Sequence, residues 1–217
     1  MKLLPRLRHL RTLRRVVAHN PVTVLLGPRQ CGKTTLARQL AQSRRPVHFF
    51  DLERTADRER LRQPELTLRP LRGLVVIDEV QRQPELFALL RPLADRGGKP
   101  ARFLLLGSVA PDLMRGVSET LAGRAGFVDL TGFDATEVGP AARERLWLRG
   151  GFPRSFRARG QAASLAWRHD FIRTFLELQR AFIVHPGEAS YAVHERVEVL
   201  TLPDAMTRVL RLAGTGR

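Results

Sequence analysis

Gly27-Pro28-Arg29-Gln30-Cys31-Gly32-Lys33-Thr34 follows the spacing G-x-x-x-x-G-K-[ST]. These residue types in this order suit the phosphates of a nucleoside triphosphate. Glycines admit backbone torsions that turn successive N–H groups inward, which makes a concave anion site. A helix opening near Lys33 aims its positive end at the same place. The Lys33 ammonium can neutralise the β and γ phosphates, and the Thr34 hydroxyl can ligate Mg2+, a cation that prefers oxygen. The expected cofactor contacts run from Gly27 through Pro28, Arg29, Gln30, Cys31, Gly32, Lys33 and Thr34 to Thr35. A second chemical element is Leu74-Val75-Val76-Ile77-Asp78-Glu79, an acidic pair closing an apolar run. Asp78 is expected to hold Mg2+, directly or through water, and Glu79 to polarise an attacking water as general base. A third is Phe103-Leu104-Leu105-Leu106-Gly107-Ser108. A hydroxyl at that strand end can orient water or report phosphate loss; the alternative is an ordinary strand-end turn.

The elements that must position these groups read as an α/β domain. Val22–Leu26, Val47–Leu52, Leu74–Ile77, Phe103–Leu106 and Phe127–Leu130 have the character of strands. The continuous apolar run at 74–77 fits a central parallel strand covered on both faces. Helical spacing is read over residues 3–17, 33–42 and 85–95, with Pro84 where the last of these would begin. The stretch up to Arg72 is polar, Arg-rich and without an assigned element. Strands alternating with helices predict a parallel sheet flanked by helices. The strand ending in Ser108 is expected beside the one ending in Asp78, which places Ser108 near the γ-phosphate. Helix 3–17, with Arg between its leucines, is read as packed on the domain; the alternative is a basic amphipathic helix on an anionic surface.

Composition shifts after about Thr131. Asp134–Leu148 and Gln161–Arg180 look helical, separated by Gly150-Gly151-Phe152-Pro153. The expected organisation is a nucleotide-binding core over 1–131, a small helical lid over 132–180 and a strand–helix tail over 181–217. In the tail, Val197–Leu202 alternates like a strand and Pro203–Leu212 suits a short helix.

The chain has 217 residues, 43% of them hydrophobic, enough for a buried core. No run approaches the roughly 20 apolar residues of a membrane span, and Arg interrupts the N-terminus before any signal-like apolar stretch. The single cysteine, Cys31, leaves no intramolecular disulfide and no cysteine zinc site. His9, His19, His48, His169, His185 and His194 lack metal-ligand spacing. These features point to the cytoplasm and away from a membrane. The formal charge is +16, which attracts polyanions. Only Lys2, Lys33 and Lys99 are lysines, however, and the arginines are scattered. A generally basic surface is the first reading and a nucleic-acid contact the second.

Five motifs in order resemble one family: the 27–35 loop, Asp51-Leu52-Glu53, Val76–Gln81, Gly107-Ser108 and Leu121-Ala122-Gly123-Arg124. It is the prokaryotic AAA-type ATPases that carry an uncharacterised, nuclease-like C-terminal domain. The resemblance runs roughly from Pro5 to Leu178. It implies ATP as the nucleotide, Mg2+ as its companion, a helical lid and sensor duty for Ser108. It also implies a role for Arg124 as an arginine finger on a neighbouring subunit's nucleotide, hence a homo-oligomer; a surface arginine is the alternative. Arg154 is a further candidate phosphate sensor.

Two departures qualify the resemblance. Cys31 stands where the family has a small or aliphatic residue. Its alkylation is expected to obstruct the nucleotide, and the nucleotide to protect the thiol. After Leu178 the chain passes at once to a stretch like the last strands and helix of the nuclease-like domain. It therefore reads as an internally deleted relative joined near Leu178–Ala181. No Glu-x-Lys or Asp-x-Lys follows Asp78, so nuclease chemistry is not expected. The strand at 197–202, deprived of its sheet, is expected to have an open edge or an opportunistic partner. The functional expectation is a Mg-dependent ATPase with Glu79, Ser108 and Arg124 as catalytic residues. Alternatives are a non-hydrolysing ATP-binding switch or truncated pseudoenzyme, and a basic nucleic-acid-binding module.

Overall fold

A computed structural model describes residues 4–98, 100–108, 111–175, 181–185, 188–194 and 197–214. The chain divides into compact units at Met1–Val138 and Gly139–Arg217.

The first unit runs α1 (Leu7–His19), β1 (Val22–Leu26), α2 (Lys33–Ala41), β2 (Val47–Asp51), α3 (Thr55–Arg60), α4 (Pro64–Leu68), β3 (Leu74–Asp78), α5 (Leu86–Ala94), β4 (Arg102–Gly107), α6 (Pro111–Thr120), β5 (Ala125–Asp129) and α7 (Ala135–Val138). Its five strands form one sheet in the order β2-β3-β4-β1-β5, every pair parallel. β1 and β3 are buried along their whole length, because residues alternate between two covered faces. Val24, Leu26, Val75, Ile77, Phe103 and Leu105 pack on one side with Phe87 and Leu90 of α5. Leu25, Val76, Leu104 and Leu106 pack on the other with Leu13 and Val17 of α1 and Leu36 and Leu40 of α2. The inward stripe of α1 is thus part of the core, as the packed reading of that helix requires. Asn20 closes α1 by giving both its backbone N–H (3.0 Å) and its side-chain amide (2.8 Å) to the Val16 carbonyl.

Several expectations need amendment. The Arg-rich stretch before Arg72 contains α3 and α4, and Leu61 and Leu68 there are fully buried. The strand from Phe127 begins at Ala125. The predicted helix over 134–148 is broken: Gly139 adopts φ 75° and Pro140 opens a 3-10 turn, a combination of free torsion and missing N–H that interrupts helical bonding. The first compact unit runs to Val138, and Glu137 within it is tied to Arg6 at the head of α1.

The second unit contains α8 (Arg143–Arg149), α9 (Pro153–Phe156), α10 (Gln161–Phe175), β6 (Ala181–His185), β7 (Tyr191–His194), β8 (Val197–Thr201) and α11 (Leu202–Gly214). The Ser155 and Ser164 hydroxyls, both buried, meet at 2.8 Å, and Ser155 also donates to the Arg149 carbonyl at 2.6 Å. The rings of Phe152 and Trp167 each lie 4.9 Å from that of Phe171. Residues 176–180, where the predicted α10 ends and the expected join begins, lie outside the described residues. In the tail, the strand expected to have either an open edge or an opportunistic partner is paired on both sides. β8 is the central strand of a three-stranded sheet, β6-β8-β7, parallel to β6 and antiparallel to β7. Its ladder is occupied on both sides, so it has no open edge. Thr201 caps α11: its hydroxyl takes the Asp204 N–H at 3.4 Å and donates to the Asp204 carboxylate at 3.0 Å. No helix among the described residues is long and apolar enough to cross a membrane.

Candidate nucleotide site

The loop after β1 is shaped by two kinds of glycine constraint. At Gly27 the constraint is space: a Cβ there would lie 2.1 Å from the Leu130 carbonyl oxygen, main chain at the end of β5. At Gly32 it is torsion, with φ 103° directly before α2. Gln30 also has positive φ, 62°, so the backbone reverses repeatedly before the helix begins. This delivers the front of α2, with Lys33 and Thr34 in its first turn, to the carboxyl-terminal edge of the sheet, where ligands bind in open parallel α/β folds.

Lys33 is 5% exposed. Its ammonium donates to the carbonyls of Gly27 (2.9 Å) and Pro28 (3.1 Å), which hold it over the loop. Thr34 Oγ1 donates to Asp78 Oδ2 at 2.6 Å. The loop hydroxyl and the β3 carboxylate thus converge. Asp78 is 7% exposed. Burial pushes its carboxyl above the usual range, the Thr34 hydrogen bond pulls the other way, and the neighbouring Glu79 charge adds to the rise. A divalent cation would relieve that condition. Hydroxyl and carboxylate oxygens are also the donors Mg2+ accepts, so the residues present fit the ion. Among the described residues no group of three or more His, Cys, Asp or Glu side chains could hold a metal. A cation here would complete its shell with phosphate and water.

Beyond Asp78 the chain turns sharply. Glu79 has φ 55° and donates its N–H to Asp78 Oδ1 at 3.0 Å. Its carboxylate receives a hydrogen bond from the Gln81 side-chain amide. β4 lies between β1 and β3, so Ser108, one residue past β4, falls between the loop strand and the acidic strand. Its Oγ is buried without a hydrogen-bond partner among the described residues. The Asp51-Leu52-Glu53 motif has a structural task. Asp51 is paired in register with Asp78; its N–H reaches Asp57 Oδ2 at 3.1 Å and its Oδ1 takes the Glu53 N–H at 2.9 Å, which turns the chain from β2 into α3.

The structure separates Arg124 from this group. Arg124 precedes β5, and its carbonyl takes the Val22 N–H at 3.2 Å. It therefore lies at the opposite end of the sheet, a five-residue strand or roughly 17 Å below the loop. There its Nε pairs with Asp95 Oδ1 at 2.6 Å. The hydrogen bond raises the Arg124 pKa and holds that of Asp95 below the usual carboxylate range. Arg154 belongs to α9 of the second unit. Cys31 requires a correction of its own. Its side chain is fully buried in the core with Leu13, Leu36 and Leu104, and burial raises the thiol pKa although Lys33 pulls it down. The thiol is shielded by packing whether or not a nucleotide is bound, so selective protection by nucleotide is not expected.

Two residues escaped assignment from sequence. Gln81 lay inside a recognised motif without a role. Arg6 was one arginine among many. Yet its guanidinium donates to the carbonyls of Cys31 (3.2 Å), Thr131 (2.8 Å) and Gly132 (2.9 Å) and to both oxygens of Glu137 (2.9 and 2.8 Å). His9 Nδ1 reaches the same carboxylate at 2.9 Å. Only side-chain length and a nearby Glu at unknown separation could have hinted at this brace behind the loop.

Comparison with known proteins accords with this geometry. The AAA domain family matches residues 19–139, more than half of the chain. Uncharacterized proteins of Mycobacterium bovis and Mycobacterium tuberculosis are each 53% identical over 165 residues. The matched region is 76% of this chain and 37% of theirs, so the chain spans well under half the length of these relatives. The fold resembles that of a Walker-type ATPase of Pyrococcus abyssi, with TM-score 0.58 at 20% identity over 79% of this chain and 73% of that one. The family match ends at residue 139, and nothing in these likenesses supports a nuclease-like C-terminal domain. With the family match covering the loop, the acidic strand and the sheet between them, the chain belongs to the AAA domain family.

Proposed function

We propose that this chain binds ATP with Mg2+ and hydrolyses it to ADP and phosphate. The observation that carries the reading is the 2.6 Å contact of Thr34 with Asp78, which joins the phosphate loop to the acidic strand. Lys33 and the loop amides grip the phosphates; the ammonium exchanges its two carbonyl partners for phosphate oxygens. Thr34 and Asp78 hold Mg2+, which when bound neutralises charge on the transferred group. Glu79 orients water and takes its proton. Ser108, whose buried hydroxyl has no hydrogen-bond partner among the described residues, offers a hydrogen bond at the end of the reacting phosphate. Arg124 acts on the nucleotide of a neighbouring copy, consistent with its place far from its own loop. The discriminating experiment measures ATP affinity and phosphate release for wild type and Glu79→Gln. Retained affinity with lost turnover is expected. An equal, negligible rate in both would favour a non-hydrolysing switch, and no magnesium-dependent affinity in either would end the reading.

A further inference from the structure

Gln81 is the residue with the least explained chemistry at this site. It lies in the 3-10 turn Val80–Arg82 that follows Glu79. Val80 is fully buried, and the turn is closed by Arg82 N–H to the Glu79 carbonyl (3.0 Å) and Gln83 N–H to the Val80 carbonyl (3.0 Å). That anchoring, with the left-handed backbone of Glu79, folds the Gln81 side chain back on its neighbour. Nε2 of Gln81 donates to Oε2 of Glu79. The amide cannot be reversed, because its oxygen would then face a carboxylate. Oε1 is buried and has no hydrogen-bond partner among the described residues.

An unpaired buried acceptor is costly and asks for a reason. A glutamine kept only for packing or for a polar network would use both ends of its amide. Here one end is used, and it is spent on the carboxylate assigned as general base. The donor is neutral, so it fixes the carboxylate without cancelling the charge that makes it a base, as a Lys or Arg would. We propose that Gln81 is a positioning residue, which sets the orientation of the Glu79 carboxylate for water activation. This rests on the hydrolytic reading of Glu79.

The test uses Gln81→Met, which keeps side-chain length and removes both polar atoms. Turnover is expected to fall about 10- to 100-fold, the range for losing a hydrogen bond to a charged group. KM and ATP affinity should stay within about twofold, since Gln81 touches the Glu79 carboxylate and not the groups assigned to hold the nucleotide. The melting temperature should hold or rise, because an unpaired acceptor has been removed. Gln81→Asn, too short to reach, should match Gln81→Met in rate. Unchanged turnover, or a joint fall of rate, affinity and melting temperature, would overturn the assignment. A second measurement needs no turnover: a thermal double-mutant cycle of Gln81→Met with Glu79→Ala in the full chain. Coupled shifts are expected, and additive shifts would refute the contact. An inactive wild type with coupled shifts would reject the hydrolytic reading while keeping the contact, so the two failures are distinguishable.

Discussion

The two ends of the five-stranded sheet handle charge differently. At the carboxyl-terminal end, Lys33 and Asp78 are 5% and 7% exposed and already engaged by protein groups. At the amino-terminal end, the Arg124–Asp95 pair has side chains 30% and 47% exposed. Buried charges are expensive unless every bond is made, so the first end is a fixed frame that a ligand enters. Surface pairs contribute little and exchange partners readily, so the second end can give up its arginine to another molecule. Rigid recognition at one end and an available cation at the other is what a site completed between copies needs.

The largest predicted effect tests the frame from behind. Arg6 and Glu137 have side chains only 6% and 4% exposed. Glu137→Ala leaves the guanidinium buried without its counter-charge and should cost about 3–5 kcal/mol, read by chemical denaturation. The pH dependence follows in sign. Burial alone would raise the Glu137 pKa, but the Arg6 hydrogen bonds and charge outweigh it, and the net shift is downward. The unfolded chain therefore binds the proton more tightly. This contribution is complete above the unfolded value of about 4.3 and is lost as pH falls through the lower folded value. Acid sensitivity in that window should flatten in Glu137→Gln; an unchanged acid limb would contradict the pairing.

Next comes the frame's ligand side. Lys33→Ala removes charge-assisted bonds to phosphate and should weaken ATP affinity about 100-fold, measured by calorimetry. A change under about threefold would mean that the ammonium does not meet the phosphates. Smaller still is a contrast between glycines. Gly27→Ala drives Cβ against the Leu130 carbonyl at 2.1 Å and should destabilise by about 1–3 kcal/mol. Gly97, in the turn before β4, has nothing within 4 Å of such a Cβ, and Gly97→Ala should stay within about 0.5 kcal/mol. Equal effects would erase the asymmetry between the two ends.

Legibility followed the same divide. The loop, its helix and Asp78 could be read because backbone torsion and strand burial dictate residue type at each position. Leu74–Ile77 is apolar throughout, and Val22–Leu26 is apolar but for Thr23, because both faces are covered. α3 and α4 were hidden because their few leucines, Leu61, Leu66 and Leu68, sit among polar side chains and a proline, too sparse to set a helical period. Gly27 was spelled by the motif, but its reason, the approach of β5, is a long-range fact. So is the central place of β8, since strand order depends on partners that periodicity does not name. Cys31 illustrates the opposite error. Its position in the loop was certain, yet the side chain of a loop residue can belong to the core while only its main chain faces the site.

Arg124 carries the prediction with the smallest effect on the fold itself. Among the described residues its side chain bonds to Asp95 and the Ala122 carbonyl, and its pair with Asp95 is partly exposed, so Arg124→Ala should leave the melting temperature unchanged. Turnover should nevertheless fall, and only in the part of the specific rate that grows with protein concentration. Mixing then decides the direction of action. Lys33→Ala subunits keep Arg124 but cannot hold phosphate; Arg124→Ala subunits hold phosphate but lack the cation. If the arginine serves a neighbour, each inactive protein supplies what the other lacks, and the mixture regains phosphate release. If it acted within its own chain, the mixture would stay as inactive as its parts. The roughly 17 Å between Arg124 and its own loop, set by the length of β5, favours recovery.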